Sequence, residues 1–292
     1  MANLSSADLA LLEADLPPAM RIEVDSECYS TGRGYVELRA SGPAHAPVIV
    51  CLHGIGSSSA GYRAQLAGLS QRFRVVAWNA PGFGASTPLA MGEPHVDDYA
   101  ELLLGVLDRL HCARMAVLVG SSWGSVIAMA FAARHPERLE RLVLSAPNTA
   151  RGRLAGVVRA ETLTRMLESG STPDEASREA VVARLLPADA PPQVRKRVAV
   201  LRDAVTPGGW GQAVRMLFSV HTPSIVGQIQ CPIDLLAGAR DTLAPVDLHA
   251  LPLREAAPWS RLHVFEDCAH MLKLEAPLRF NSIVAGTNSM DD

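Results

Sequence analysis

Three side chains, distant along the chain, are of the types that together make a nucleophile out of a hydroxyl. Ser122 lies in Gly120-Ser121-Ser122-Trp123-Gly124, a G-x-S-x-G pattern. Glycine at both −2 and +2 selects Ser122 over its neighbour Ser121, because a sharp strand-to-helix turn that bares a serine needs small residues on each side. A serine hydroxyl attacks a carbonyl only when a base removes its proton, and the base needs an acid to hold its tautomer. Downstream, Leu235-Leu236-Ala237-Gly238-Ala239-Arg240-Asp241 runs into a turn, which puts Asp241 at the carboxyl end of a strand. Asp247 is the fallback acid. His270 follows in the loop after the next strand, in Glu266-Asp267-Cys268-Ala269-His270. The chemistry these residues suit is acyl transfer from a carbonyl to Ser122.

A tetrahedral intermediate at such a serine needs two N–H groups aimed at its oxygen. The residue after the serine, Trp123, offers one. The second is assigned to Ile55, in His53-Gly54-Ile55-Gly56, which follows the apolar run Val48-Ile49-Val50-Cys51-Leu52. His53 is expected to fix that loop by hydrogen bonding rather than act as base, and His263, inside a strand, to be structural. Cys268, two residues before His270, pairs with nothing in the sequence.

The elements that must position these residues are legible as alternating patterns. Val48 to Leu52, Phe73 to Trp78, Met115 to Val119, Leu142 to Leu144, Ile233 to Ala237 and Leu262 to Phe265 are short apolar runs without alternation. Such runs suit strands covered on both faces. Between them, Val96 to Leu110 repeats its apolar residues at helical spacing, with Asp97 and Asp98 in the first turn. Trp123 to Ala133 is small or apolar all round and reads as a buried helix; Glu275 to Val284 reads as a closing one. Strand and helix in strict alternation predict an α/β fold built on a mostly parallel, doubly wound sheet.

From about Thr149 to Pro223 the strand runs stop, and three or four helices are expected. One starts at the capping box Thr172-Pro173-Asp174-Glu175, one at Pro191-Pro192, and one spans Trp210 to His221. The expected organisation is a core in two parts, 1–148 (with 1–20 as an N-terminal extension) and 224–292, with a helical lid at 149–223. From Arg151 to Pro223, ten Arg and one Lys face seven acids, so this insertion is net +4 and the rest of the −3 chain is −7.

The 292 residues are 48% hydrophobic and 20% charged, enough for a large core. A net charge of −3 argues against nucleic acid, and no apolar run approaches the ~20 residues that span a bilayer. The first 20 residues are acidic and lack Lys and Arg, unlike a secretory leader, so cytoplasmic residence is the default. Five widely spaced cysteines suggest neither disulfides nor zinc.

From about Arg21 to Ile283 the chain resembles the α/β-hydrolase superfamily. The agreeing pieces are His53-Gly54-Ile55-Gly56, Ala80-Pro81-Gly82-Phe83-Gly84-Ala85-Ser86, Gly120 to Gly124, Gly238-Ala239-Arg240-Asp241 and Ala269-His270. Asn79 stands where the family usually carries Asp, and Ala269 where Gly is commoner. The resemblance implies a Ser122–Asp241–His270 triad, a small-molecule substrate, no metal and no organic cofactor; self-association stays open. A serine at 122 excludes the dehalogenase and epoxide-hydrolase branches, which need a carboxylate nucleophile.

Among serine branches, a carboxylesterase or similar lactonase fits first. Trp210, Arg215, Phe218 and Met271 are the candidate substrate-binding residues, with Trp123, Met166 and Met216 as further apolar candidates. Met271 after the histidine resembles plant-type methylesterases. Carbon–carbon hydrolases of ring-fission diketo acids share the triad and lid but usually carry a Gly-rich oxyanion loop and a Trp after the histidine; here stand Ser57-Ser58-Ser59 and Met271. The positive insertion, with Arg215 near Phe218, keeps an acidic substrate in view. A non-catalytic ligand-binding protein of this fold commonly loses a triad member, and here all three are present.

Overall fold

A computed structural model of the protein describes residues 4–170 and 175–287. Its centre is an eight-stranded sheet of β1 (Met20–Asp25), β2 (Arg33–Ser41), β3 (Val48–Leu52), β4 (Arg74–Trp78), β5 (Val117–Ser121), β6 (Leu142–Ser145), β7 (Ile233–Gly238) and β8 (Arg261–Phe265). The strand order is β1-β2-β4-β3-β5-β6-β7-β8. β1 and β2 pair antiparallel, as do β2 and β4; every later pairing is parallel.

The run-on apolar strands have a simple cause. Ile49, Cys51, Val75, Ala77, Val117, Val119 and Val143 pack on one side of the sheet. Their neighbours Val50, Leu52, Val76, Trp78, Leu118, Leu142 and Leu144 pack on the other. With both faces covered, each position along a central strand must be apolar. β2 alternates instead: Gly34, Val36 and Leu38 are buried between more exposed neighbours. β1 and β2 were not foreseen; the alternating signal in β2 is short and interrupted by glycine.

The helices are α1 (Ser6–Glu13), α2 (Arg63–Gly68), α3 (Val96–Arg109), α4 (Trp123–Arg134), α5 (Gly156–Glu168), α6 (Glu175–Leu185), α7 (Pro192–Ala199), α8 (Pro207–Met216), α9 (Pro223–Val226), α10 (Ala250–Ala256), α11 (Leu272–Glu275) and α12 (Pro277–Ala285). In α4 every residue from Trp123 to Ala132 is buried, as expected of a helix apolar all round. The expected closing helix is two helices, because Pro277 cannot continue α11 and instead occupies the first position of α12. The expected helix over Trp210–His221 begins earlier and ends earlier, as α8. Thr206 Oγ1 accepts from Gly209 N–H at 3.0 Å and Pro207 opens the helix, which sets its start. The capping box at Thr172-Pro173-Asp174 lies outside the described residues.

Helices α5 to α9 fall between β6 and β7. They touch the core at defined points: Thr206 Oγ1 donates to Gly82 O (2.6 Å), and Arg240 pairs with Asp189 at 2.7 Å. Helix α1 belongs to the same assembly. Leu12 is fully buried in a cluster with Val182, Leu186, Val194, Val198, Leu201, Met271 and Leu274. Arg197 Nε donates to Leu12 O at 2.8 Å. Among the described residues, no helix is long and apolar enough to cross a membrane.

Candidate active site

Residue 122 sits between the end of β5 and the start of α4, with φ +53° and ψ −114°. This is backbone strain in a non-glycine residue, of the kind that persists only where the surroundings enforce it. The enforcement is visible at the two glycines. A Cβ on Gly120 would lie 2.6 Å from Gly124 O, and one on Gly124 would lie 2.4 Å from Leu52 O. The turn is further closed by Ser125, whose N–H and Oγ–H both donate to Ser122 O.

His270 and Asp241 meet, 29 residues apart. His270 Nδ1 is 2.7 Å from Asp241 Oδ2, and both side chains are nearly fully buried. The other carboxylate oxygen, Oδ1, accepts from Leu243 N–H (2.8 Å) and Ala244 N–H (2.9 Å). Burial alone would raise the Asp241 pKa, but the His270 contact and the two amides outweigh it and hold the carboxyl below its usual range. Asp247, the fallback, is exposed. Ser122 and His270 line one cavity, together with Gly54, Ile55 and Gly56.

The loop after β3 is a tight turn in which Ser57 N–H donates to Gly54 O at 3.0 Å, with Ile55 and Gly56 at its apex. His53 fixes it: Nδ1 is 2.8 Å from Gly54 O, while Nε2 accepts from Ala80 N–H at 3.0 Å. Accepting that amide requires a neutral ring, and burial pushes its pKa down to about 4. His53 is thus a structural residue, as expected. Asn79 Oδ1 accepts from Ser59 N–H at 2.7 Å, so the amide at this position also holds the loop. Neither His263, whose Nε2 lies 2.8 Å from Asp234 Oδ1, nor the buried Cys268, whose thiol burial lifts to about 12, lines the cavity.

The four candidate substrate-contacting residues divide. Trp210 and Met271 line the cavity. Arg215 and Phe218 do not; they border a separate groove with Glu93, His95 and Arg159, and Arg215 approaches Glu93 at 3.9 Å. Arg215 lies five residues beyond Trp210 in α8, about 140° further around the helix, so the two side chains leave different faces, and Phe218 follows the end of the helix at Met216. Trp123 and Met216 are fully buried core: the Trp123 ring packs edge-on against Tyr99 at 5.1 Å and its Nε1–H donates to Ala213 O.

Sequence reasoning missed several wall residues, including Leu185, Leu201, Arg202 and Lys273. Lys273 had a readable signal, as a single charge inside Met271-Leu272-Lys273-Leu274. Leu185 had none: its carbonyl accepts from His270 N–H at 3.1 Å, a contact between α6 and the histidine loop that sequence spacing does not encode.

A family model described as alpha/beta hydrolase fold matches residues 47–277. The chain belongs to this family. It is 29% identical over 247 residues to a pimeloyl-(acyl-carrier protein) methyl ester esterase of Chromobacterium violaceum, covering 81% of this chain and 90% of that one. It is 30% identical over 274 residues to a 2-hydroxymuconate semialdehyde hydrolase of Pseudomonas putida, covering 88% of each. Among solved structures, a thermophilic esterase from Thermogutta terrifontis superposes with a TM-score of 0.80 at 21% identity, covering 91% of this chain and 97% of that one. The expected fold class and family are therefore correct.

Proposed function

We propose that this α/β hydrolase cleaves a carboxylic ester of a small or medium acyl group through an acyl-enzyme on Ser122. The observation that carries the proposal is the strained Ser122 turn opening on the same cavity as His270, whose Nδ1 is held by Asp241 at 2.7 Å. Ser122 Oγ attacks the carbonyl carbon while His270 Nε2 takes its proton. Asp241 keeps the proton of the imidazole on Nδ1 and stabilises the imidazolium that forms. The oxyanion is received by the N–H groups of Ile55 and Trp123, the latter at the N-terminus of α4, where helix amides have no internal acceptor. His270 then protonates the leaving alcohol, and a water activated by the same imidazole releases the acid.

Helices α5 to α9 serve in this reading as a lid. Val181, Leu185, Val198, Leu201 and Trp210 supply apolar wall to the cavity, and α6 reaches His270 itself through Leu185 O.

The test is hydrolysis of p-nitrophenyl acetate and butyrate by the wild type and by Ser122→Ala. Turnover that falls to background in the variant supports the proposal; turnover unaffected by the change removes Ser122 from its role. One observation favours a second reading, carbon–carbon hydrolysis of a ring-fission diketo acid. Arg184, Arg202 and Lys273 all line the cavity, and an acidic substrate would suit them. Cleavage of a vinylogous diketo acid without any ester turnover would select that reading.

A further inference from the structure

Lys273 is an unusual wall residue. It is 1% exposed, yet among the described residues its ammonium makes one hydrogen bond, from Nζ to Ser121 Oγ at 2.9 Å, and it faces the Tyr62 ring, 5.2 Å from the ring centre. No carboxylate among the described residues lies within ion-pair distance. A buried ammonium with only a hydroxyl and a ring for company is expensive to keep. Burial lowers its pKa to about 8, which leaves it cationic at neutral pH. The nearby acid, Glu275, has both oxygens engaged by the Ala269 and Met271 amides.

Beside it stands a second unsatisfied group. Ser57 lines the same cavity, and its buried Oγ has no hydrogen-bond partner among the described residues. A methyl placed on Gly61 would meet Ser57 Oγ at 2.7 Å and Lys273 Cε at 3.6 Å, so both side chains pack beside Gly61, and both line the cavity. Arg202 adds a third polar wall group. It is 7% exposed, donates to Ser169 O at 2.7 Å, stacks over Trp210 at 4.7 Å, and has no acid partner among the described residues. The described lining contains Arg184, Arg202 and Lys273 and no Asp or Glu.

We infer that this wall is an anion subsite in which Lys273 Nζ and Ser57 Oγ, with Arg202 opposite on the inserted helices, hold a carboxylate carried by the acyl part of the substrate. The inference rests on the ester-hydrolase reading of Ser122 and His270, and it narrows the substrate class to half-esters of dicarboxylic acids. A charge-assisted hydrogen bond is worth about 1.5–3 kcal/mol, or roughly 10- to 100-fold in selectivity.

The experiment compares kcat/KM for monomethyl succinate, glutarate and adipate with that for methyl butyrate, valerate and hexanoate. The wild type is expected to prefer at least one half-ester over its neutral counterpart by about tenfold or more. Lys273→Met brings that ratio to near one, and Ser57→Ala, the milder change, lowers it several-fold. Because each ratio is taken within one protein, a partly unfolded variant does not distort it. Neutral esters hydrolysed as well as half-esters by the wild type would overturn the subsite and leave the ester reading standing, and so would a preference that survives both substitutions. Turnover of neither ester class would overturn both.

Discussion

The carboxylate of Glu275 brackets His270: Oε2 accepts from Ala269 N–H at 2.8 Å and Oε1 from Met271 N–H at 2.7 Å. The imidazole is thus positioned twice, through its ring by Asp241 and through its backbone by a buried acid one helical turn further on. Glu275 sits in α11 and is 4% exposed. Burial pushes its pKa up to about 7 even though both oxygens accept amides.

That shift has a signed consequence. A carboxyl whose folded pKa is raised binds its proton more tightly folded than unfolded, so its stabilising contribution is present below about 4.5 and is lost as pH rises through about 7. Asp241, held below its usual range, acts in the opposite sense and weakens the fold as pH falls. Replacing Glu275 by Gln removes the first titration. Between pH 4.5 and pH 7, the Tm of Glu275→Gln should therefore rise relative to wild type, read by thermal unfolding at several pH values. A constant Tm difference across this window would show that Glu275 is not a shifted acid.

Asp241→Asn should lower kcat by about 10⁴ while leaving the fold intact, because an amide can no longer fix the imidazole tautomer. Circular dichroism and ester turnover on the same sample check it. Near-normal activity would mean that Asp241 does not act as the acid.

Gly124→Ala should damage stability and activity together. Its methyl would lie 2.4 Å from Leu52 O and 2.6 Å from His53 O, backbone atoms that lead into the Ile55 turn. Overpacking of this sort costs about 1–3 kcal/mol. A variant with wild-type Tm and turnover would mean the turn is not so constrained.

Trp210 and Arg215 lie five residues apart in α8 but should behave differently. Trp210 lines the cavity and supports Arg202, so Trp210→Ala should raise KM for esters. Arg215 faces the other groove, and its loose pair with Glu93 is worth about 0–1 kcal/mol, so Arg215→Ala should leave kcat/KM within about twofold. Steady-state kinetics separate them; a KM effect at Arg215 would return it to the substrate pocket.

These contrasts also mark where sequence reading reaches its limit. The parallel strands, the buried helix α4 and the positions of Ser122, Asp241 and His270 just past strand ends could be read directly, because each depends on local pattern: unbroken apolar runs, glycines at fixed offsets, a polar residue just past a strand. The His53 role followed from a loop needing an anchor. Arg215 and Phe218 border the other groove because Arg215 lies about 140° around α8 from Trp210 and Phe218 comes after its end, and which face of α8 meets the cavity depends on packing rather than on local pattern. Lys273, Glu275 and Leu185 were missed since their partners are backbone amides, a neighbouring hydroxyl and a histidine loop brought near by folding.

The nucleophile itself can be read by mass. A fluorophosphonate probe, which modifies only an activated hydroxyl, should add one adduct per chain, mapped by peptide mass spectrometry to Ser122 and absent in Ser122→Ala. Label on the adjacent Ser121, or none at all on folded protein, would contradict the assignment of Ser122 as the hydroxyl that His270 activates.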